Sequence, residues 1–191
     1  RRAVLARARR STEEELLEMS MEGNTEATVT AVTDTSVTFT APEMAAGTYD
    51  VIIYVSGSGN ADPSGTTLTS QAMADSITPD AGSTFGGQTV VIAGNGFSGS
   101  SDDTTVDVGG ESCDVTACTS SSVTCTTPAG ADGSSDFVVT SNGVQFPAVP
   151  FSYSAAATPS VSSVSPTEGS GAQTLTISGS NFGATPEVCI G

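Results

Sequence analysis

The sequence contains no His, Lys or Trp among its 191 residues, and these absences exclude whole classes of function. Without His or Lys, the chain cannot perform acid–base chemistry built on those side chains, and it cannot bind a metal through imidazole. Carboxylates, Tyr, Cys and hydroxyl groups remain as the reactive groups. The composition therefore favours a protein that is not an enzyme and needs no cofactor.

Positive charge is absent after Arg10. All five basic residues are arginines within the first ten positions, and all 21 acidic residues follow them. The strongly negative remainder repels phosphate backbones and anionic lipids, so we expect neither a nucleic-acid partner nor membrane contact for this segment. No apolar run approaches the ~20 residues of a transmembrane helix. The chain opens on Arg without a signal sequence, and we expect it to be a piece of a longer protein.

The apolar residues that are present recur at every second position, between Ser, Thr and Gly. This period is typical of strands that bury one face, and Thr, Val, Ile and Phe favour strands. Clusters of Gly, Asn and Asp between the rows indicate turns. We therefore predict an all-β protein. The predicted inward rows are Val37 and Phe39; Tyr49, Val51, Ile53 and Val55; Val90 and Ile92; Phe151 and Tyr153; and Leu175 and Ile177.

Two pairs of segments repeat along the chain at nearly the same spacing. Residues 76–97 match residues 163–182, with an offset of 87 residues at the start and 85 at the end. Residues 35–42 match residues 121–128 at an offset of 86. A period this long corresponds to a domain, and about seven short strands in that length predict a β-sandwich.

The repeats divide the chain into parts. Residues 24–74 form the C-terminal part of one repeat, residues 75–155 a complete repeat, and residues 156–191 the N-terminal part of a further repeat. Residues 1–23 do not fit the repeat.

The non-repeating N-terminal segment has two notable features. Ser11–Met19 predicts a short helix with a capping Ser and acidic residues in its first turn. Arg7, Arg9 and Arg10 resemble a dibasic processing site. Three interpretations of this segment remain open: a helical insertion between strands, a processed tail, or a basic tag that pairs with the acidic body of a neighbour.

The complete repeat resembles an IPT/TIG domain. The motifs that carry the resemblance are Ile77-x-Pro79-x-x-Gly82, Gly86-Gly87-x-Thr89-Val90-x-Ile92-x-Gly94-x-x-Phe97, Val106-x-Val108-Gly109-Gly110 and Val123-x-Cys125-x-x-Pro128. The resemblance covers residues 75–155 and extends in part to both flanks. It implies tandem immunoglobulin-like sandwiches of the kind found in plexins and in fibrocystin-like surface proteins. The DNA-binding version of the domain uses basic loops, which are absent after Arg10.

The resemblance also bears on the four cysteines. In the family pattern, a Cys before the Pro128 position bridges to one after the Gly-Gly pair, which implies a Cys113–Cys125 disulfide. Cys118 would then be left over, although Cys118–Cys125 is an alternative pair. We expect Cys189 to pair with a residue outside the chain. Free thiols are the competing interpretation, and a metal site lacks a fourth ligand because there is no His.

Three acidic residues are weak candidates for calcium ligands, because Asp102, Asp103 and Asp107 lie close together in the sequence. The spacing of an EF-hand loop is missing. A solvated acidic surface explains the same residues without a metal.

The resemblance and the composition together predict a non-catalytic structural or adhesive segment of a large extracellular or cell-surface protein, with a ciliary or flagellar surface as one setting. The expected partners are proteins, namely adjacent repeats or other copies in an assembly. The first alternative is a receptor ectodomain that binds a protein ligand. The second is a filament subunit that assembles by strand complementation between its two half-domains.

Overall fold

The computed structural model describes residues 3–8, 25–61 and 65–189, and this part of the chain is all-β, as predicted. It contains no helix, so none that could cross a membrane is found in the described ranges. The helix expected at Ser11–Met19 lies outside the described residues. The seventeen strands fall into three units, here called the first, second and third unit.

The first unit is one sheet with strand order β3-β2-β1-β4-β5, and β6 pairs with the other end of β4. Its strands are β1 (Ala3–Ala8), β2 (Thr25–Val32), β3 (Val37–Thr40), β4 (Gly47–Val55), β5 (Gly59–Asn60) and β6 (Thr67–Ser70). A strand at Ala3–Ala8 was not predicted from the sequence, because no clear period-two pattern marks this arginine-rich segment.

The second unit is a sandwich of nine strands in the order β7-β9-β12-β11-β10-β13-β15-β8, with β14 paired to β13. Its strands are β7 (Met73–Thr78), β8 (Ala81–Ser83), β9 (Thr89–Asn95), β10 (Thr104–Val108), β11 (Glu111–Cys118), β12 (Ser122–Thr126), β13 (Gly133–Ser141), β14 (Val144–Gln145) and β15 (Val149–Ser154).

Strand β11 belongs to both layers of this sandwich. Its first residues pair with β10, where Val106 lies opposite Cys113, and its later residues pair with β12, where Asp114 lies opposite Thr126. The first strand of the unit is divided in the same way. Strand β7 pairs with β9 in one layer and, after the cis Thr78–Pro79 peptide bond, β8 pairs with β15 in the other.

The core of the second unit confirms the predicted inward rows. Val90 and Ile92 are fully buried, as are Phe151 and Tyr153, whereas their sequence neighbours Val91 and Ser152 are exposed. The core also contains two aromatic clusters. The rings of Phe97 and Phe146 stack at 4.5 Å, and those of Phe137, Phe151 and Tyr153 meet at 5.1 and 5.0 Å.

The third unit consists of β16 (Ser160–Ser165) and β17 (Thr176–Ser180), which pair antiparallel. Here the predicted burial is wrong for Leu175, which is 40% exposed, and incomplete for Ile177. The period-two pattern predicts which side chains lie on the same face of the sheet. Within the described residues, however, no second layer covers that face.

The internal repeat predicted from the sequence extends to individual hydrogen bonds. In the turn between β2 and β3, Thr33 N–H donates to Ser36 O at 2.8 Å and Thr33 Oγ1 accepts from Ser36 N–H at 3.0 Å. Between β11 and β12, Thr119 and Ser122 make the same two bonds at 2.8 and 2.9 Å. The two turns therefore form by the same local chemistry.

A tyrosine hydroxyl anchors the loop after the β3 or β12 strand in both units, but from different strands. In the first unit, Tyr49 of β4 donates to Ala45 O at 2.7 Å. In the second unit the matching position is Ser135, and Tyr153 of the neighbouring β15 donates to Pro128 O at 3.0 Å. Both hydroxyls therefore bind the loop that follows the strand, although the accepting carbonyls of Ala45 and Pro128 are not at matching positions of the repeat.

Burial raises the pKa of the Tyr153 hydroxyl above its ordinary value of 10.0. The folded protein therefore holds this proton more tightly than the unfolded chain, and its contribution to stability is present below the unfolded pKa and is lost as pH rises through the folded value. We expect urea midpoints to fall above about pH 10.

The variant Tyr153→Phe should flatten this alkaline dependence, and loss of the hydrogen bond to Pro128 O should cost about 1 kcal/mol near neutral pH. Tyr54→Phe, at a residue that is 37% exposed, is the matched control. An unchanged alkaline slope in Tyr153→Phe would contradict the assignment. The measurement is urea unfolding between pH 7 and the alkaline range.

Candidate functional site

The first and second units meet through a loop rather than through the linker alone. Only Gln71 and Ala72 separate β6 from β7. The loop of residues 41–46, here called the docking loop, joins β3 to β4 and ends at Ala46. The Ala46 N–H donates to Gly96 O at 2.6 Å, and the Ala46 side chain is 7% exposed within the core cluster of the second unit. One residue of the first unit is thus part of its neighbour's core.

A side-chain contact fixes the other end of the docking loop. The Ser120 hydroxyl donates to the Glu43 carboxylate across the joint. Ser120 is itself held, because its carbonyl accepts the N–H groups of Gly96 and Phe97 at 3.1 and 3.2 Å. The joint therefore connects two loops of the second unit to one loop of the first. A shallow cleft between them is lined by Pro42, Glu43, Met44, Ser70, Asn95, Gly96 and Ser120.

The close approach at this joint requires glycine at position 96. Gly96 has φ +91°, and a Cβ atom there would lie 2.6 Å from the carbonyl oxygen of Gln71. Any side chain would therefore push the short linker away. The joint also depends on the docking loop's own shape, which the Ser70 hydroxyl supports by donating to Met44 O at 3.2 Å.

The joint between the second and third units is built differently. Its linker is longer, residues 155–159, and the third unit reaches it through Asn181, whose amide donates to Ala156 O at 2.8 Å and to Thr158 O at 3.1 Å. The Thr158 hydroxyl in turn contacts the second unit, where it accepts from Thr84 N–H at 3.0 Å. The second and third units are therefore connected through contacts with the linker.

The positions that make the first joint are changed in the second. The 86-residue offset places Ala129 at the position of Glu43 and Asp132 at that of Ala46. The Asp132 carboxylate accepts Ala155 N–H of the linker at 2.7 Å. Among the described residues, no hydrogen bond joins residues 129–132 directly to the third unit. The loop in the second unit thus holds the linker and not the neighbouring unit.

The structure joins Cys113 to Cys125 by a disulfide, with their Cα atoms 5.7 Å apart and both side chains buried. The matching positions of the first unit are Ala27, which is buried, and Phe39, which packs against the same small cluster. Packing there takes the place of the covalent bond.

The other two cysteines are unpaired in the described chain. Cys118 is half-buried, with its sulfur 3.5 Å from Thr104 Oγ1 beside a buried hydroxyl cluster that includes Ser141. Cys189 is exposed.

The remaining candidates from the sequence are not gathered into a site. Within the described ranges, no three His, Cys, Asp or Glu residues come together as metal ligands, and this includes Asp102, Asp103 and Asp107. Asp107 instead accepts Gly110 N–H at 3.1 Å in the turn after β10. Of the suspected processing site, Arg7 lies in β1, and Arg9 and Arg10 lie outside the described residues.

Sequence reasoning missed the residues that make both joints. Glu43, Ala46 and Ser120 are ordinary loop residues, and nothing in their local pattern indicates a contact between units. One signal was available for Asn181, because the repeat places it at the position of Gly96, and both residues have positive φ, +59° and +91°. Asn and Gly are the residues that adopt this conformation most readily.

The sequence profile of the IPT/TIG domain matches residues 22–70, 74–154 and 159–191, which together make up most of the chain. The chain belongs to the IPT/TIG domain family. The family assignment agrees with the sandwich of the second unit and with the repetition of its turn in the first. IPT/TIG domains are generally non-catalytic.

Two related proteins are fibrocystin-L of Mus musculus and of Homo sapiens, which are 34% and 32% identical to this chain over 161 residues. These alignments cover 84% of the chain but only 4% of each relative. Among solved structures, the extracellular region of plexin A4 is similar to 73% of the chain, with 15% identity, a TM-score of 0.41 and 13% of that protein covered.

The disulfide should stabilise the second unit mainly by restricting its unfolded chain. For a closed loop of this length, the loop-entropy model gives about 3 kcal/mol. We expect Cys113→Ala/Cys125→Ala to lower the free energy of unfolding by about this amount in chemical denaturation. Cys189→Ser, which also removes a cysteine but at an exposed position, should leave it unchanged. Equal stability of the two variants would show that the bond contributes nothing.

Proposed function

We propose that this segment is a non-catalytic structural element of a large extracellular or cell-surface protein, in which successive IPT/TIG units form a rod. The observation that carries the proposal is the docking loop, because Ala46 of one unit is buried in the core of the next. A contact of this kind resists bending, whereas units joined by a flexible linker alone move independently.

Two further observations support the extracellular setting. The buried Cys113–Cys125 disulfide requires an oxidising environment to form and persist. The strong negative charge after Arg10 keeps an extended protein soluble and disfavours contact with anionic lipids. Partners of the rod are then proteins, either neighbouring units or other molecules of the assembly.

The two joints give this rod unequal stiffness. At the first joint, main-chain and side-chain bonds connect the bodies of two units, across Ala46–Gly96 and Glu43–Ser120. At the second joint, the bonds of Asn181 end on linker atoms. The first and second units should therefore behave as one body, and bending should concentrate at residues 155–159.

A matched exchange of loop residues tests this assignment. Glu43→Ala/Ala46→Asp gives the docking loop the residues found at 129 and 132, and we expect it to loosen the first joint. Spin labels at Thr38→Cys and Ser112→Cys, in a Cys118→Ser/Cys189→Ser background, report the distance between the first two units by electron–electron double resonance. The distance distribution should be narrow in the parent and broad in the variant.

The second joint provides the control. With labels at Ser112→Cys and Thr167→Cys, the docking-loop variant should leave the distribution unchanged, and Asn181→Ala should broaden it. A parent distribution for the first joint as broad as that for the second would overturn the proposal, as would a variant that remains narrow.

A receptor ectodomain is the second candidate, and Phe85 favours it. This side chain is 80% exposed in the loop between β8 and β9, although the loop is held by the bonds of Gly86 N–H to Ser83 O and of Gly130 N–H to Thr84 O. Aromatic residues, Phe among them, are enriched at the cores of protein interfaces relative to the rest of the surface.

If this second function holds, beads that carry the wild-type chain should bind an extracellular protein. Beads that carry the Phe85→Ser variant should not bind that protein. Equal recovery by the two kinds of bead would exclude Phe85 as a binding centre. The substitution should leave the unfolding free energy within about 0.5 kcal/mol of the wild type, because the ring is exposed.

A further inference from the structure

One position in the first sheet is filled differently from its counterpart in the second unit. In the second unit, β10 lies between β11 and β13 and runs antiparallel to both. In the first unit, β1 lies between β2 and β4 and runs parallel to both. We call the position between β2 and β4 the strand slot. Two copies of one repeat thus hold strands of opposite direction at the same place.

The connections of the two strands differ accordingly. Strand β10 reaches β11 through the two-residue turn Gly109–Gly110, which fixes both its direction and its origin in the same unit. Strand β1 is separated from β2 by residues 9–24. Parallel neighbours need a crossover of a dozen residues or more, and the length of this connection meets that need. Unlike the two-residue turn of the second unit, a connection of this length does not by itself fix which chain supplies the strand.

The slot holds its strand through main-chain pairing on both sides. All six residues of Ala3–Ala8 lie opposite Asp50–Val55 of β4, and Val4–Ala6 lie opposite Thr25–Ala27 of β2. Main-chain pairing on both sides is the way in which an added strand gains affinity in β-strand addition. Without an occupant, the facing edges of β2 and β4 would be left unpaired.

The N-terminal segment and the rest of the chain carry opposite charge. The five arginines of the protein lie on or next to β1, at positions 1, 2, 7, 9 and 10, whereas all 21 acidic residues lie after them. A segment of charge +5 is therefore attached to a body of charge −21, and the same attraction operates toward the body of a second copy. Such opposite charges steer association between molecules.

We propose that the strand slot is an assembly site, and that its occupant in the assembled protein is the β1 strand of a second copy. Each chain donates Ala3–Ala8 and accepts the same segment in its own first unit, which is an exchange of identical elements. The proposal does not depend on the stiffness of the joints, so the rod and this assembly fail or succeed separately.

A cross-link between β1 and β4 distinguishes the two origins of the strand. Ala6 lies opposite Ile53 in the register, so Ala6→Cys/Ile53→Cys in the full chain, with Cys118→Ser and Cys189→Ser, should form a disulfide on mild oxidation. If the strand comes from a second copy, nonreducing gels show covalent dimers or larger species. A cross-linked single chain would overturn the proposal, and so would the absence of any cross-link.

The second unit provides the control pair. Thr105→Cys/Thr140→Cys lies across β10 and β13, whose strands belong to one chain, and it should cross-link only within the chain. If this control pair also gave covalent dimers, the dimers would come from random collisions between molecules and not from strand exchange.

Light scattering of the unlinked protein gives a second test with no cysteine introduced. We expect a mass above that of one chain at low salt, which moves toward one chain as salt screens the arginines. Arg7→Glu should shift the same equilibrium toward the single chain by at least several-fold in dissociation constant. A single-chain mass at every salt and protein concentration would exclude the exchange.

Discussion

The architecture depends on burial of alternate side chains between two sheets, and the second unit satisfies this constraint through one shared strand. Because β11 pairs with β10 at one end and β12 at the other, the two layers are continuous there. The disulfide from Cys113 to Cys125 lies at this crossing, inside the core. The third unit illustrates the same constraint, since Val161, Val164 and Leu175 remain exposed and, within the described residues, no second layer covers them.

Loops at the ends of the sandwich extend this packing from one unit to the next. The docking loop contributes Ala46 to a neighbouring core and Glu43 to a neighbouring hydroxyl, whereas the corresponding loop of the second unit uses Asp132 to hold the linker. The same loop position therefore contacts the neighbouring unit in one case and its own linker in the other.

Several parts of the fold were predictable because they follow from local patterns. The inward positions of Val90, Ile92, Phe151 and Tyr153 follow from period-two alternation, and the 86-residue repeat predicts that the turns after β2 and β11 are alike. The resemblance to IPT/TIG domains implied the Cys113–Cys125 bond that the structure contains. The tyrosine hydrogen bonds were harder to predict from the repeat, because Tyr49 and Tyr153 anchor the loop from different strands.

The sequence by itself determined the all-β class, the repeat, the absence of histidine and lysine chemistry, and the separation of positive from negative charge, since these depend on composition and short-range order. Only the tertiary structure decided which loops meet and which strand fills a slot. Glu43 contacts Ser120, 77 residues away, and β1 lies parallel between β2 and β4. Such pairings depend on how complete layers pack, and no local pattern encodes that packing.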